Sequence, residues 1–191
     1  MSTENALAER LRIAHDSAMR DVLGDADDLV LSSPIPFFMG GPSGVATHRG
    51  HLDGVVYATI DLISVYPEER PEPNRQGAYE LMIATRREDA GASALIGSLG
   101  PYALDAVMNP GETMDIGPAT PGGATVSAFL FQDYARFEVD GTACGLLLCL
   151  GITEDELALC LDGRRAEVEA ALRKSGIWPF TDWLRQSVLA P

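Results

Sequence analysis

The sequence predicts an α+β fold: a mixed, mostly antiparallel sheet flanked by helices in a single domain. Three observations support this prediction. Strand-like runs rich in β-branched and aromatic residues alternate with helical stretches. Several of these runs are joined by short turns, which is typical of antiparallel pairing. The length of 191 residues suits one globular domain.

A helix is predicted at the N-terminus, over residues 4–23, because apolar residues recur at helical spacing ahead of Gly24. The predicted apolar stripe consists of Leu7, Leu11, Ala14, Ala18 and Val22. We expect residues 1–26 to form this helix, packed on the domain, and residues 27–191 to form the domain itself.

The strongest strand signal in the first half of the chain is the run 55–65, which carries apolar residues on both faces, as in a sheet covered on both sides. Further strands are predicted over 45–49 and 79–86. A helix is predicted over 92–108. Because Gly100 and Pro101 interrupt it, either two short helices or one kinked helix would fit.

The second half of the chain predicts a β-hairpin followed by helices. Shorter strands are predicted at 113–116, 126–131, 134–139 and 142–150. Asp140-Gly141 is the predicted hairpin turn between the last two, since glycine readily takes the positive φ that such a turn requires. Residues 142–150 carry leucines on both faces, which predicts a central, buried strand. Thr153 and Glu156 form a capping-box pattern, which predicts a helix start.

Charge narrows the possible partners. The chain has 14 basic and 28 acidic residues, for a net charge of −14. A surface that neutralises phosphates must be basic, so this excess argues against nucleic acid and against anionic membranes as partners. A basic protein partner is compatible with it. An odd count of three cysteines, with no signal-peptide pattern and no apolar run of about 18 residues, predicts a cytoplasmic protein with reduced thiols.

No catalytic constellation, cofactor site or metal site is predicted. His48 and His51 are the one closely spaced histidine pair, and Asp53 is the one nearby third ligand, whereas zinc needs a third and usually a fourth. A small-ligand or metal-dependent enzyme with a site near these three residues remains the alternative. Asp61 and Glu80 differ from the other acids because they lie inside otherwise apolar runs, which indicates a water-facing edge or a paired carboxylate, an interface, or a catalytic role.

Six segments carry a resemblance to a known family. They are GVVYATIDL at 54–62, YELMIAT at 79–85, IGSLGPYAL at 96–104, NPGETMD at 109–115, GLLLCLGITEDEL at 145–157 and WPFTDWLRQSVL at 178–189. In this order they resemble the suppressor-of-fused domain family, over residues 34–190. The leucine-rich strand that runs into Ile-Thr-x-x-Glu-Leu is the most specific of them.

This resemblance implies a non-enzymatic, mixed α/β domain that binds protein. Animal members of the family restrain a transcription factor of hedgehog signalling, gripping a short peptide partly by strand addition. Bacterial members are regarded as immunity proteins that neutralise polymorphic toxins, so a basic toxin is the candidate partner here. Tyr57 and Glu80 fall within matching segments, and together with Asp61 they are the predicted partner-binding residues.

Overall fold

A six-stranded sheet forms the centre of the computed structural model, which describes residues 3–27, 30–64 and 69–189. The strands are β1 (Val45–His48), β2 (Val55–Thr59), β3 (Ala78–Thr85), β4 (Thr113–Asp115), β5 (Val126–Val139) and β6 (Thr142–Thr153). The helices are α1 (Thr3–Leu23), α2 (Ala90–Asp105), α3 (Glu154–Leu159) and α4 (Arg165–Lys174). None of the helices in these described ranges is long and apolar enough to span a membrane.

The strand order is β1-β2-β3-β6-β5-β4, and only the β3–β6 pair is parallel. The predicted α+β class, with a mixed and mostly antiparallel sheet, is therefore confirmed. The hairpin prediction is also confirmed, because Val139 pairs with Thr142 across Asp140 (φ 48°) and Gly141 (φ 80°). Two successive residues with positive φ match the twist of the flanking strands.

Helices and irregular segments cover both faces of the sheet. On one face, Leu147 and Cys149 of β6 belong to a core that includes α2. On the other face, Leu146, Leu148 and Leu150 belong to a core that includes α1, α4 and Phe180. All five of these β6 side chains are fully buried. The sequence prediction of a strand covered on both sides is confirmed.

Two predicted strand boundaries were wrong. Strand β2 ends at Thr59, well before the predicted end at Val65, which itself lies outside the described residues. Ile60 still donates its N–H to the Gly44 carbonyl, but the ladder stops there because the Gly44 N–H is bound by the Asp61 side chain rather than by the Ile60 carbonyl. Strand β5 is one long strand rather than two, because a register shift beside Asp133 absorbs the irregularity that separated 126–131 from 134–139 in the sequence.

The predicted helix α1 is present, but its most buried stripe is not the predicted one. His15, Met19 and Leu23 are buried, whereas Leu7 is 44% exposed. The buried residues follow i, i+4 spacing, so they form a single line along the helix. A pattern of apolar residues alone misses this line because one of its members is a histidine.

The C-terminal segment docks through a buried ion pair. Arg185 donates from Nη1 to Oε1 of Glu156 at 2.7 Å, and it also donates to the carbonyl oxygen of Gly151 at 2.9 Å. Glu156 completes the predicted capping box by accepting the N–H of Thr153 at 3.0 Å. One carboxylate thus holds both the start of α3 and the C-terminal segment.

Candidate protein-binding site

Glu80 is a fully buried carboxylate in β3 that faces helix α1. Its Oε2 accepts the Thr59 hydroxyl at 2.5 Å, and its Oε1 accepts the Ile63 N–H at 3.0 Å. The Nε2 of His15 lies 3.3 Å from the same Oε1. Glu80 therefore connects the end of β2, the segment that follows it and α1.

Asp61 lies just beyond the end of β2 and is only partly buried. Its carboxylate accepts the Ser43 hydroxyl and, at 2.9 Å, the Gly44 N–H. Burial raises the pKa of Asp61, and the nearby Glu80 charge adds to this, although the two hydrogen bonds act in the opposite direction. In the part of the chain that the structure describes, no cationic side chain forms an ion pair with Asp61.

Helix α2 fixes the position of Ser43. It continues without a break through Pro101, so the expectation of either two helices or a kinked one is settled in favour of one helix. Because proline has no N–H, the carbonyl of Gly97 lacks its usual partner within the helix, and it accepts the Ser43 N–H at 2.8 Å instead. A Cβ atom at Gly100 would lie 2.7 Å from the Cβ of Ser43. Glycine is therefore required for this close approach.

Tyr57 is buried on the opposite face of the sheet, in the core that includes α2. Its hydroxyl accepts the Asp89 N–H at 2.8 Å. The Asp89 side chain accepts the Ala92 N–H at 3.0 Å and the Trp183 indole N–H at 2.6 Å. Tyr57 thus anchors the start of α2 and, through Asp89, the C-terminal segment.

The three predicted partner-binding residues do not form one surface. Tyr57 and Glu80 are buried on opposite faces, so in this conformation neither presents its side chain to a partner. Asp61 is the one that lines a surface groove. Of the three, Asp61 is therefore the residue that we retain as a candidate for direct contact with a partner.

His48, His51 and Asp53 do not converge either. His48 is buried, and its Nδ1 lies 3.1 Å from the carbonyl oxygen of Gly24. The Nε2 of His51 lies 2.6 Å from the hydroxyl oxygen of Tyr134, while Asp53 is exposed. Burial lowers the pKa of both histidines. No group of three potential metal ligands occurs within residues 3–27, 30–64 and 69–189.

The groove beside Asp61 runs between α1 and the segments 36–38 and 60–64. We call it the α1 groove. Its cavity measures about 230 Å³. Apolar side chains of its lining include Leu11, Phe38, Ile60 and Ile63, and its ionisable side chains are Arg12, His15, Asp61 and Glu69. It is a groove of mixed polarity with two carboxylates in its wall.

The structure so far defines an α+β protein with a six-stranded mixed sheet and a groove under its N-terminal helix. A scan of family models and a search of curated proteins gave no match. Solved structures, however, do match: the chain has a suppressor-of-fused-like fold.

Three solved structures show this likeness. One is the Sufu–Fu complex, with a TM-score of 0.68 and 13% identity over 96% of this chain and 91% of that one. Another is a suppressor of fused homologue from Neisseria gonorrhoeae, with a TM-score of 0.62 and 16% identity over 97% and 99%. The third is Drosophila Suppressor of Fused, with a TM-score of 0.64 and 12% identity. The match covers 98% of this chain and 54% of the Drosophila protein.

Sequence reasoning missed two residues of this region, His15 and Ser43. The i, i+4 spacing of His15, Met19 and Leu23 was a usable signal for the first of them, because it places a histidine on the line that the helix buries. Nothing in the local sequence pointed to Ser43. Its contact with Asp61 depends on α2, which lies more than 40 residues further along the chain.

Proposed function

We propose that this chain is a non-enzymatic protein-binding module with a basic protein partner. The observation that carries the proposal is the suppressor-of-fused-like fold, which one of the similar proteins displays in a complex with Fu. The net charge of −14 supports a basic partner, because complementary charge speeds encounter and disfavours wrong partners.

The binding surface that we propose is the one beside Asp61. Asp61 reaches the surface there, while Glu80 holds the backbone of Ile63 next to it at 3.0 Å. Tyr57 contributes from the interior by holding the start of α2, the helix against which Ser43 lies. Of these three residues, only Asp61 contacts the partner in this proposal. Tyr57 and Glu80 keep the surface around it in place.

A finer proposal is that the partner is a toxin and the chain its immunity protein, acting in the cytoplasm. A toxin that attacks nucleic acid needs a basic surface, and an acidic inhibitor complements such a surface. Cys144, Cys149 and Cys160 are free thiols, as suits a reducing compartment.

The experiment tests the genes that neighbour its own gene for a toxin, pairs the purified chain with that toxin and titrates toxin activity; a neighbourhood without a toxin gene would count against the immunity role. A binding module should protect in proportion to its amount, with full inhibition at a fixed stoichiometry. Protection by far less than stoichiometric amounts would point to an enzyme and would overturn the non-enzymatic proposal. A toxin that stays fully active and does not bind the chain would overturn the immunity role.

A further inference from the structure

We propose that the α1 groove receives a lysine or arginine side chain from the protein partner, with the cation beside Asp61. This inference rests on the proposed function and specifies where the partner binds and what it inserts. Three features carry it: the apolar side chains along the groove, the Asp61 carboxylate without an ion-pair partner among the described residues, and the exposed apolar segment that forms one wall.

The size and walls of the groove suit one long side chain. Leu11, Ile60 and Ile63 supply apolar surface along it. Lysine and arginine bury their aliphatic stems against such surface while the charged head reaches a polar partner. The volume of about 230 Å³ is below the roughly 300–1,000 Å³ of typical small-molecule sites, so a side chain fits better than a whole ligand.

The charge at the groove favours a cation. Asp61 accepts two hydrogen bonds from neutral donors but forms no ion pair within the described residues. Arg12 and His15 also line the groove, but both already face carboxylates: Arg12 pairs on α1 itself with Glu9 at 2.8 Å and Asp16 at 2.8 Å, and Nε2 of His15 lies 3.3 Å from Glu80. Desolvation and the nearby Glu80 raise the pKa of Asp61, which means that its charged form lacks full stabilisation in the free protein. An inserted cation would supply that stabilisation.

Exposed apolar side chains lie in the chain segment that forms one wall of the groove. Phe38, which lines the groove, is 39% exposed, and its neighbours in sequence Ile35 and Met39 are 54% and 70% exposed. Methionine and phenylalanine are residues that interfaces favour. The partner segment should therefore carry apolar residues next to its cation, so that this apolar segment is covered while the cation enters the groove.

The experiment selects random linear peptides, displayed on phage, against the native chain. We expect enriched peptides to contain a lysine or arginine flanked by apolar residues. The chosen peptides are then synthesised and their affinities measured for native and variant chains. Asp61→Asn should weaken binding by about tenfold, because a charge-assisted contact is lost. The Phe38→Ser/Met39→Ser double variant should weaken it as well.

Matched controls separate the groove from general effects. Asp162→Asn removes the same charge from the exposed helical segment between α3 and α4, and Leu161→Ser removes the neighbouring side chain, which is 73% exposed, so neither should change the affinity. Thermal unfolding verifies that each variant is folded. Asparagine at position 61 keeps an oxygen that can accept the Gly44 N–H, so folding is expected.

Three results with the peptides would overturn the inference: no enrichment, enriched peptides without a cation, or peptides that bind native and Asp61→Asn chains equally well. Free arginine that binds as tightly as the peptides would indicate a small-ligand site and would also overturn it. The toxin titration is a separate readout. If it succeeds while Asp61→Asn has no effect, the protein-binding function stands and the groove is not its site.

Discussion

His15 and Glu80 form a buried contact between α1 and the sheet. Nε2 of His15 lies 3.3 Å from Oε1 of Glu80. Burial of the imidazole lowers its pKa, but the hydrogen bond and charge of Glu80 outweigh burial, so the pKa of His15 is raised overall. The carboxylate of Asp16, 3.8 Å from the other ring nitrogen, acts in the same direction. Protonated His15 therefore holds α1 to the sheet more strongly than the neutral form does.

We predict a pH-dependent contribution of His15 to stability. A histidine whose pKa is raised on folding contributes stability that is fully present below its unfolded pKa of about 6.5 and is lost as the pH rises through its folded pKa. The free energy of unfolding of the native chain, minus that of His15→Gln, should therefore shrink as the pH rises above about 6.5. Denaturant melts across a pH series measure this difference.

His51→Gln is the matched control for this series. Burial lowers the pKa of His51, so its contribution has the opposite sign and is lost as the pH falls. Its difference curve should slope the other way. Parallel stability curves for the native chain and His15→Gln would show that the contact with Glu80 is not an ion pair.

Strand β6 is the element on which both cores depend. Leu147 and Leu148 are neighbours in sequence but belong to different cores, one packed with α2 and the other with α1 and α4. Each side chain is fully buried. The helices on the two faces of the sheet therefore both pack against strand β6.

We predict that Leu147→Ala and Leu148→Ala each lower the free energy of unfolding by about 2–5 kcal/mol, the usual cost of truncating a core leucine. Chemical denaturation gives the values, and Leu161→Ala, at a position 73% exposed, is the control that should be close to neutral. A neutral result at either buried position would mean that the face concerned is loosely covered.

Elements with strong local signals could be predicted from the sequence. The Asp140-Gly141 turn, the capping box of Thr153 and Glu156, and the leucines of β6 each carry their own pattern, and each is found. Tertiary contacts determine the rest. Strand β2 ends at Thr59 because the Asp61 side chain binds the Gly44 N–H, a contact that no β-propensity can reveal.

The candidate site was harder to predict than the fold because its parts come from distant elements. Asp61 and Glu80 were recognised as unusual carboxylates, but their partners Ser43 and His15 lie on other segments. Whether a carboxylate in an apolar run is paired, buried or exposed depends on which segment reaches it. Tyr57 is a comparable case: its side chain lies in the opposite core, where its hydroxyl accepts the Asp89 N–H from a distant segment.

At the scale of the whole molecule, the acidic excess acts at long range. A net charge of −14 should attract a basic partner before contact and so raise the association rate constant. This effect differs from the contact at Asp61, because it depends on the summed field rather than on one geometry.

We predict that the association rate constant with the proposed basic partner falls as salt is added, while the dissociation rate constant changes much less. The screening length shrinks from about 8 Å at physiological ionic strength to about 3 Å at 1 M. Stopped-flow or surface-based kinetics across a salt series would measure both constants. An association rate constant that does not change with salt concentration would contradict the hypothesis that charge selects the partner.

The two edges of the sheet have a consequence for solubility. The outer edge of strand β1 is already hydrogen-bonded at Val45 and Thr47. Val45 exchanges backbone hydrogen bonds with Leu31, and the Thr47 carbonyl accepts the Asp27 N–H. Strand β4, at the other edge, is three residues long. Short or covered edges give a second molecule little template for adding its own strands. This arrangement should disfavour the pairing of edge strands between molecules from which cross-β aggregates grow.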